Sequence, residues 1–455
     1  MHNKIISTKS IIHLNKSGNL FIESGTALIK LNQKQVVASN LKTLQDNPEE
    51  HFFRMPFNSI SYVVKGRIIE TITAHPSSFY PGSPFDVFMA VKAYLQKGKH
   101  ILPRFYLYPS SACNSKCIIC PFTFRHKTPF FIPLESITGI IDFMDAQQPR
   151  PRTLSAIISG DGEPTLHKDM DKFLRYMYER NIRTFLSSNF IFPGTERQDK
   201  EDSIADTVSM LTISIKGLSP SSYLRYQGLD NPQSGLDRVM ENLEKLIKKT
   251  EDNGRRKDML VGVASLILPE NTGSYTDMTK RFVDLGLDYV YLNVVEPSYK
   301  AWGIQFDKKT KAKTIEELEQ LAQFSNSGTM IRYSTELFKG TTGESVYYDA
   351  RTRNERDICG SALWNPLFMS MDKKPAVIAC RASDKFQKTE FAFTRDIYRT
   401  GMAEIFSGSR INQVMSVTEH CEQCRLERQV RLFDDLIRIE RANEFRGEFV
   451  LDFPP

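Results

Sequence analysis

SACNSKCIICPF, residues 111–122, sets Cys113, Cys117 and Cys120 within eight positions of a 455-residue chain that has seven cysteines in all. Disulfides between such close neighbours would shut small, strained loops, and the total is odd. The opening MHNKIISTKSIIHLNKSG shows neither the apolar core of an export signal nor a small-residue cleavage site. The expectation is therefore a cytoplasmic protein with reduced thiols, and clustered thiols there serve metal binding or redox chemistry. Zinc suits thiolates, but a structural zinc site takes four ligands and this run supplies three. A metal centre on three thiolates keeps a place open for a further ligand.

The residues around the cysteines set the fold. RFYLYP (104–109), TLSAIIS (153–159), IRTFLSS (182–188), VSMLTISI (208–215), MLVGVASLIL (259–268) and YVYLNVV (289–295) are short, nearly continuously apolar runs, the pattern of strands buried on both faces. Between them lie helix-like stretches, LESITGIIDFMDAQ, HKDMDKFLRYMYERN, GLDRVMENLEKLIKKT and YTDMTKRFVDLGL. Strands alternating with helices predict an α/β fold with a parallel sheet and right-handed crossovers. Functional loops then belong at the C-terminal ends of the strands, where the cysteine run stands.

The spacing C-x3-C-x2-C after RFYLYP resembles the signature of radical S-adenosylmethionine (SAM) enzymes. The resemblance implies a partial (β/α)6 barrel in which Cys113, Cys117 and Cys120 hold a [4Fe-4S] cluster. SAM chelates the fourth iron, and an electron donor such as flavodoxin or ferredoxin reduces the cluster. Asp161-Gly162-Glu163-Pro164 resembles the family's G-G-E-P motif, whose backbone and glutamate receive the amino group of SAM; Asp161 replaces the first glycine. A surface turn is the other reading of that stretch. By the same resemblance Ser187, Ser188 and Asn189 stand near the methionine and ribose of SAM. Ser214 and Lys216 follow at the next strand end, and Val263 and Asn293 pass beneath the adenine. Small polar residues at strand ends also cap helices, and that reading stays open for each.

Cys359, Cys380, Cys421 and Cys424, spaced C-x20-C-x40-C-x2-C, are similar to the auxiliary-cluster extension called the twitch domain, a shortened SPASM domain. The implied ligand set is four cysteines around a second [4Fe-4S] cluster, with zinc as the alternative occupant. ICGSALWNPLFMSMDKKPAVIAC reads as ligand, β-hairpin, ligand. Three plus four uses every thiol, so none is left to quench a substrate radical. A cluster with no open iron suits electron transfer, and net oxidation of the substrate is expected: dehydrogenation or bond formation on a sugar-like or other polar small molecule. The alternative is a ribosomally made peptide. A non-catalytic zinc- or SAM-binding protein is a remoter one.

The predicted organisation is an N-terminal α+β module (1–100), the SAM core (101–300), and a linker with the cysteine-ligated twitch/SPASM-like extension (301–455). In the first module GNLFIESGTALIKLN and SISYVVKGRIIETITAHP read as hairpins and SPFDVFMAVKAYLQKGK as an amphipathic helix, a unit suited to substrate recognition. Hydrophobic content of 40% and charged content of 25% are globular values. No apolar run reaches membrane length, so no membrane partner is expected. A net charge of +6 is a mild excess on this length, and there is no nucleic-acid motif.

Overall fold

The computed structural model describes residues 9–14, 20–24, 27–31, 59–64, 67–73, 104–120, 129–146, 154–160, 162–192, 197–229, 235–295, 303–324, 327–333, 367–371, 374–378, 392–394, 396–398, 401–406 and 447–452. Within them the strands form two sheets.

The first sheet is antiparallel. It holds β1 (Lys9–Leu14), β2 (Leu20–Ser24), β3 (Ala27–Leu31), β4 (Ser59–Val64), β5 (Arg67–Thr73) and β16 (Gly447–Asp452) in the order β3-β2-β1-β16-β4-β5. Both expected hairpins are present, β2 with β3 and β4 with β5. The central strand β16 comes from the far end of the chain and pairs with β1 on one side and β4 on the other. The helix expected over SPFDVFMAVKAYLQKGK lies outside the described residues.

The second sheet carries the site. β6 (Arg104–Leu107), β7 (Ser155–Ile158), β8 (Arg183–Ser188), β9 (Met210–Ile215), β10 (Leu260–Leu266), β11 (Tyr289–Asn293) and β12 (Met330–Tyr333) lie side by side in chain order, all parallel. The six strands expected from sequence are all there, and β12 is a seventh. The crossovers run through α1 (Leu134–Ala146), α2 (Met170–Glu179), α3 (Arg197–Thr207), α4 (Pro220–Gln227), α5 (Leu236–Asp252), α6 (Tyr275–Asp284) and α7 (Lys308–Gln320). Alternate strand residues such as Leu107, Ile158, Leu211 and Val261 join helix residues such as Ile141, Phe173 and Leu243 in one buried core. The sheet is open: it ends at β12 on one side and does not close into a full barrel.

On its other side β6 is paired in parallel by β13 (Leu367–Met371), which turns back into β14 (Lys374–Ile378) and then β15 (Ala392–Thr394). This is the hairpin expected between Cys359 and Cys380; the four cysteines Cys359, Cys380, Cys421 and Cys424 lie outside the described residues. Phe368 of β13 is fully buried, edge-on to Phe105 of β6 at 5.9 Å and 6.2 Å from Phe406. Phe406 in turn stacks on Phe143 of α1 at 5.4 Å. The C-terminal hairpin is thus built onto the strand that leads into the cysteine run. Among the described residues no helix is long and apolar enough to cross a membrane.

Candidate active site

Because the strands are parallel, the loops after β6, β7, β8 and β9 gather at one edge of the sheet. The cysteine loop leaves β6 and is pinned at its start, where Tyr108 N–H donates to Phe368 O (2.8 Å) and Ser111 N–H to Phe130 O (2.9 Å). A turn closed by Cys120 N–H on Cys117 O (2.9 Å) brings the last two cysteines round.

Two glycines let other loops lie directly on this one. Gly162 follows β7, and a Cβ there would stand 2.2 Å from Ala112 O, inside van der Waals contact. Its neighbour Glu163 donates its N–H to the same oxygen at 2.7 Å. Gly228 ends α4 in the left-handed region at φ 62°, and its Cβ would lie 2.0 Å from Lys116 O. Lys116 N–H donates back to Gly228 O at 3.2 Å. No side chain fits at either place.

Glu163 is 3% exposed, and its carboxylate accepts four hydrogen bonds from the chain. Oε1 accepts from Thr165 N–H (3.1 Å), Thr165 Oγ1 (2.8 Å) and Ser188 Oγ (2.7 Å), while Oε2 accepts from Asn189 N–H (2.7 Å). Burial pushes its pKa up, opposed by these four hydrogen bonds. This carboxylate, which the resemblance assigns to the SAM ammonium, also ties the loop after β7 to the end of β8. Ser188 and Asn189 are likewise sealed, at 2% and 6% exposure. Gly162, Ser187, Ser214 and Lys216 are half-buried. Asp161 lies outside the described residues. Val263 is fully buried in the main core, so its side chain has no surface to offer an adenine. Asn293 is half-buried, and its Oδ1 accepts from Val294 N–H at 3.0 Å.

Sequence reading missed Asn114, Ser115 and Gln227. Ser115 Oγ accepts from Asn189 Nδ2 (3.0 Å) and Gln227 Nε2 (3.2 Å), and neither pairing has a local pattern that would announce it. The signal for α4 was present in SPSSYLRYQG: a capping box at Ser219 and Ser222, Pro220 at the first helical position, and Gly228 at the end.

Cys113 is exposed, and Cys117 and Cys120 are half-buried. Among the described residues no three His, Cys, Asp or Glu side chains converge on a point that could hold a single metal ion. Ligands to separate irons of a polynuclear cluster need no such point. Partial desolvation by the surrounding loop pushes the Cys113 thiol up, with Ser115 N–H opposing and Glu163 adding. Burial likewise pushes Cys117 up to about 11, and the Lys216 ammonium pulls it back. Near neutral pH Cys113 and Cys117 are therefore thiols in the metal-free loop, and binding of a cationic centre expels their protons.

Residues 107–266 match the family model of the radical SAM superfamily. No curated protein matches the sequence. Among solved structures, the fold is similar to that of Streptococcus suis SuiB bound to S-adenosylmethionine, with TM-score 0.53 and 12% identity over 92% of this chain and 95% of that one. SuiB bound to its precursor peptide SuiA gives TM-score 0.47 and 12% identity over 92% and 94%. anSMEcpe with bound AdoMet gives 0.44 and 15% over 72% and 87%. The family match begins on the last residue of β6 and runs to the end of β10, so it encloses the cysteine loop, the Gly162–Glu163 turn and the strand ends packed on them. Residues 107–266 thus form a radical SAM domain, the domain of a superfamily of enzymes whose cofactors are a [4Fe-4S] cluster and SAM.

Proposed function

We propose that Cys113, Cys117 and Cys120 ligate the SAM-binding cluster and that the chain uses it to oxidise a peptide. The observation that carries the first half is the three thiols on one loop at the C-terminal edge of a parallel sheet, locked there by Gly162 and Gly228. When bound, the cluster and SAM supply a 5′-deoxyadenosyl radical that removes a hydrogen atom from the substrate. The chain's own part is to hold and orient. Ser187, Ser214, Lys216 and the backbone at Asp161 and Gly162 are the proposed SAM contacts, since those described have surface to offer. Glu163, Ser188 and Asn189 act by fixing the loops those contacts stand on.

The peptide reading is favoured over a small polar substrate by the extent of the fold likeness to SuiB, 92% of this chain and 95% of that one, since SuiB takes a precursor peptide. We assign the N-terminal sheet to substrate recognition. A sugar-like substrate stays as the second reading, on the auxiliary cysteine spacing alone. We further assign Cys359, Cys380, Cys421 and Cys424 to an auxiliary cluster that takes the second electron of the oxidation, an electron carrier such as flavodoxin or ferredoxin to the SAM cluster, and the chain to the cytoplasm.

The test counts iron. Two [4Fe-4S] clusters require about eight irons per chain by Mössbauer spectroscopy, and a folded variant with those four cysteines replaced by Ala should keep about four. That variant should still cleave SAM yet fail to complete an oxidised product. Four irons in the wild type, or zinc in place of the second set, would remove the auxiliary cluster from the proposal.

A further inference from the structure

Asn189 stands one residue beyond β8 and spends its polar groups on the chain. Its N–H donates to Glu163 Oε2 (2.7 Å) and its Oδ1 accepts from Ile191 N–H (3.0 Å). Its Nδ2 gives one hydrogen to Asn114 Oδ1 (2.7 Å) and the other to Ser115 Oγ (3.0 Å). Asn114 Nδ2 reaches back to Ile191 O at 2.6 Å. From the opposite side Gln227, at the end of α4 and 1% exposed, donates Nε2 to the same Ser115 Oγ at 3.2 Å. Lys116 N–H is held by Gly228 O at 3.2 Å. Of the three residues between Cys113 and Cys117, Asn114 is thus held by the end of β8, Lys116 by the end of α4, and Ser115 by both.

The grip reaches a ligand sulfur. Ser115 N–H points at Cys113 Sγ across 3.4 Å. Hydrogen bonds to ligand sulfur tune the potential of an iron-sulfur cluster, and partners behind the ligands orient them. We propose that Asn189 is a positioning residue for the SAM-binding cluster: through Ser115 it sets the hydrogen bond to Cys113 and the spacing of Cys113 from Cys117, with Gln227 bracing the same hydroxyl from α4. Asn189 does this without touching SAM. The inference rests on the reading of Cys113, Cys117 and Cys120 as cluster ligands.

Two neutral variants test it from opposite ends, Ser115→Ala, which removes only the shared hydroxyl, and Asn189→Leu, which keeps the size of the side chain. Each is reconstituted anaerobically beside the wild type. Three quantities are read: the electron paramagnetic resonance spectrum and midpoint potential of the reduced cluster without SAM, the affinity for SAM, and 5′-deoxyadenosine formation at saturating SAM. Both variants should shift the SAM-free spectrum and potential in the same direction. Both should also lose about 10- to 100-fold in the saturated rate, the range for partners behind a metal ligand, with SAM affinity close to wild type. Loss of the cluster from both variants in chains that still melt cooperatively would equally support the brace. A weakened SAM affinity in Asn189→Leu with an unaltered SAM-free spectrum would make Asn189 a SAM contact and overturn it, as would wild-type spectra in both. A wild type that builds no SAM-responsive cluster would instead overturn the proposed function, and the brace with it.

Discussion

Glu163 has the most closely fixed side chain of the site: a buried carboxylate accepts four hydrogen bonds, two from backbone N–H groups and two from hydroxyls. Glu163→Gln puts an NH2 against at least one of those donors, and a donor facing a donor in a sealed site costs about 1–3 kcal/mol. The expected outcome is a lower melting temperature for the cluster-free protein, read by thermal unfolding of the apo form. An unchanged melting temperature together with weakened SAM binding would return the carboxylate to the ammonium of SAM. The motif Gly162-Glu163-Pro164 was legible in the sequence, and so was its place at a strand end. What the carboxylate holds was not, because Ser188 and Asn189 lie 25 and 26 residues further on and meet it only once β7 and β8 are paired.

At the scale of elements, the strands were readable because each carries its evidence locally, as a short apolar run buried on both faces. α3, RQDKEDSIADT, offers no apolar stripe and was not expected; it is a helix because the crossover from β8 to β9 needs one. The junction before α2 makes a prediction about pH. His167 is 1% exposed, its Nε2 bonded to Ile132 O at 2.8 Å and its Nδ1 accepting from Asp169 N–H at 3.1 Å, an arrangement that wants a neutral ring. Burial lowers its pKa from the ordinary value of about 6.5, with the bond to Ile132 and the charge of Asp169 opposing. Since the unfolded chain binds the proton more readily, this contribution to stability is present above about pH 6.5 and is lost as the pH falls through the lower folded value. Thermal unfolding between pH 7.5 and 5.5 should show a loss in the wild type that is smaller in His167→Gln. Parallel curves for the two proteins would take His167 out of the acid response.

On the scale of the whole molecule, the two ends of the chain meet. β16 enters the middle of the N-terminal sheet, between β1 and β4, so that sheet cannot be completed until residues 447–452 are made. No local pattern in GEFVLD reveals a partner more than 380 residues away, and the division at residue 100 was drawn without it. Deleting residues 447–455 should abolish hydrogen-exchange protection over 9–14 and 59–64 while β7 to β11 keep theirs, because the parallel sheet does not depend on β16. Retained protection in β1 and β4 would show that those strands pair without it.

The central claim concerns what the cysteine loop does, and one measurement reaches it directly. Anaerobically reconstituted protein is incubated with SAM and dithionite, and 5′-deoxyadenosine is quantified by mass spectrometry for the wild type and for the variant with Cys113, Cys117 and Cys120 all replaced by Ala. The account predicts 5′-deoxyadenosine from the wild type and none from the triple variant, with both chains giving the same circular-dichroism spectrum. Equal amounts from both, or none from a wild type that carries its full iron and sulfide, would contradict it.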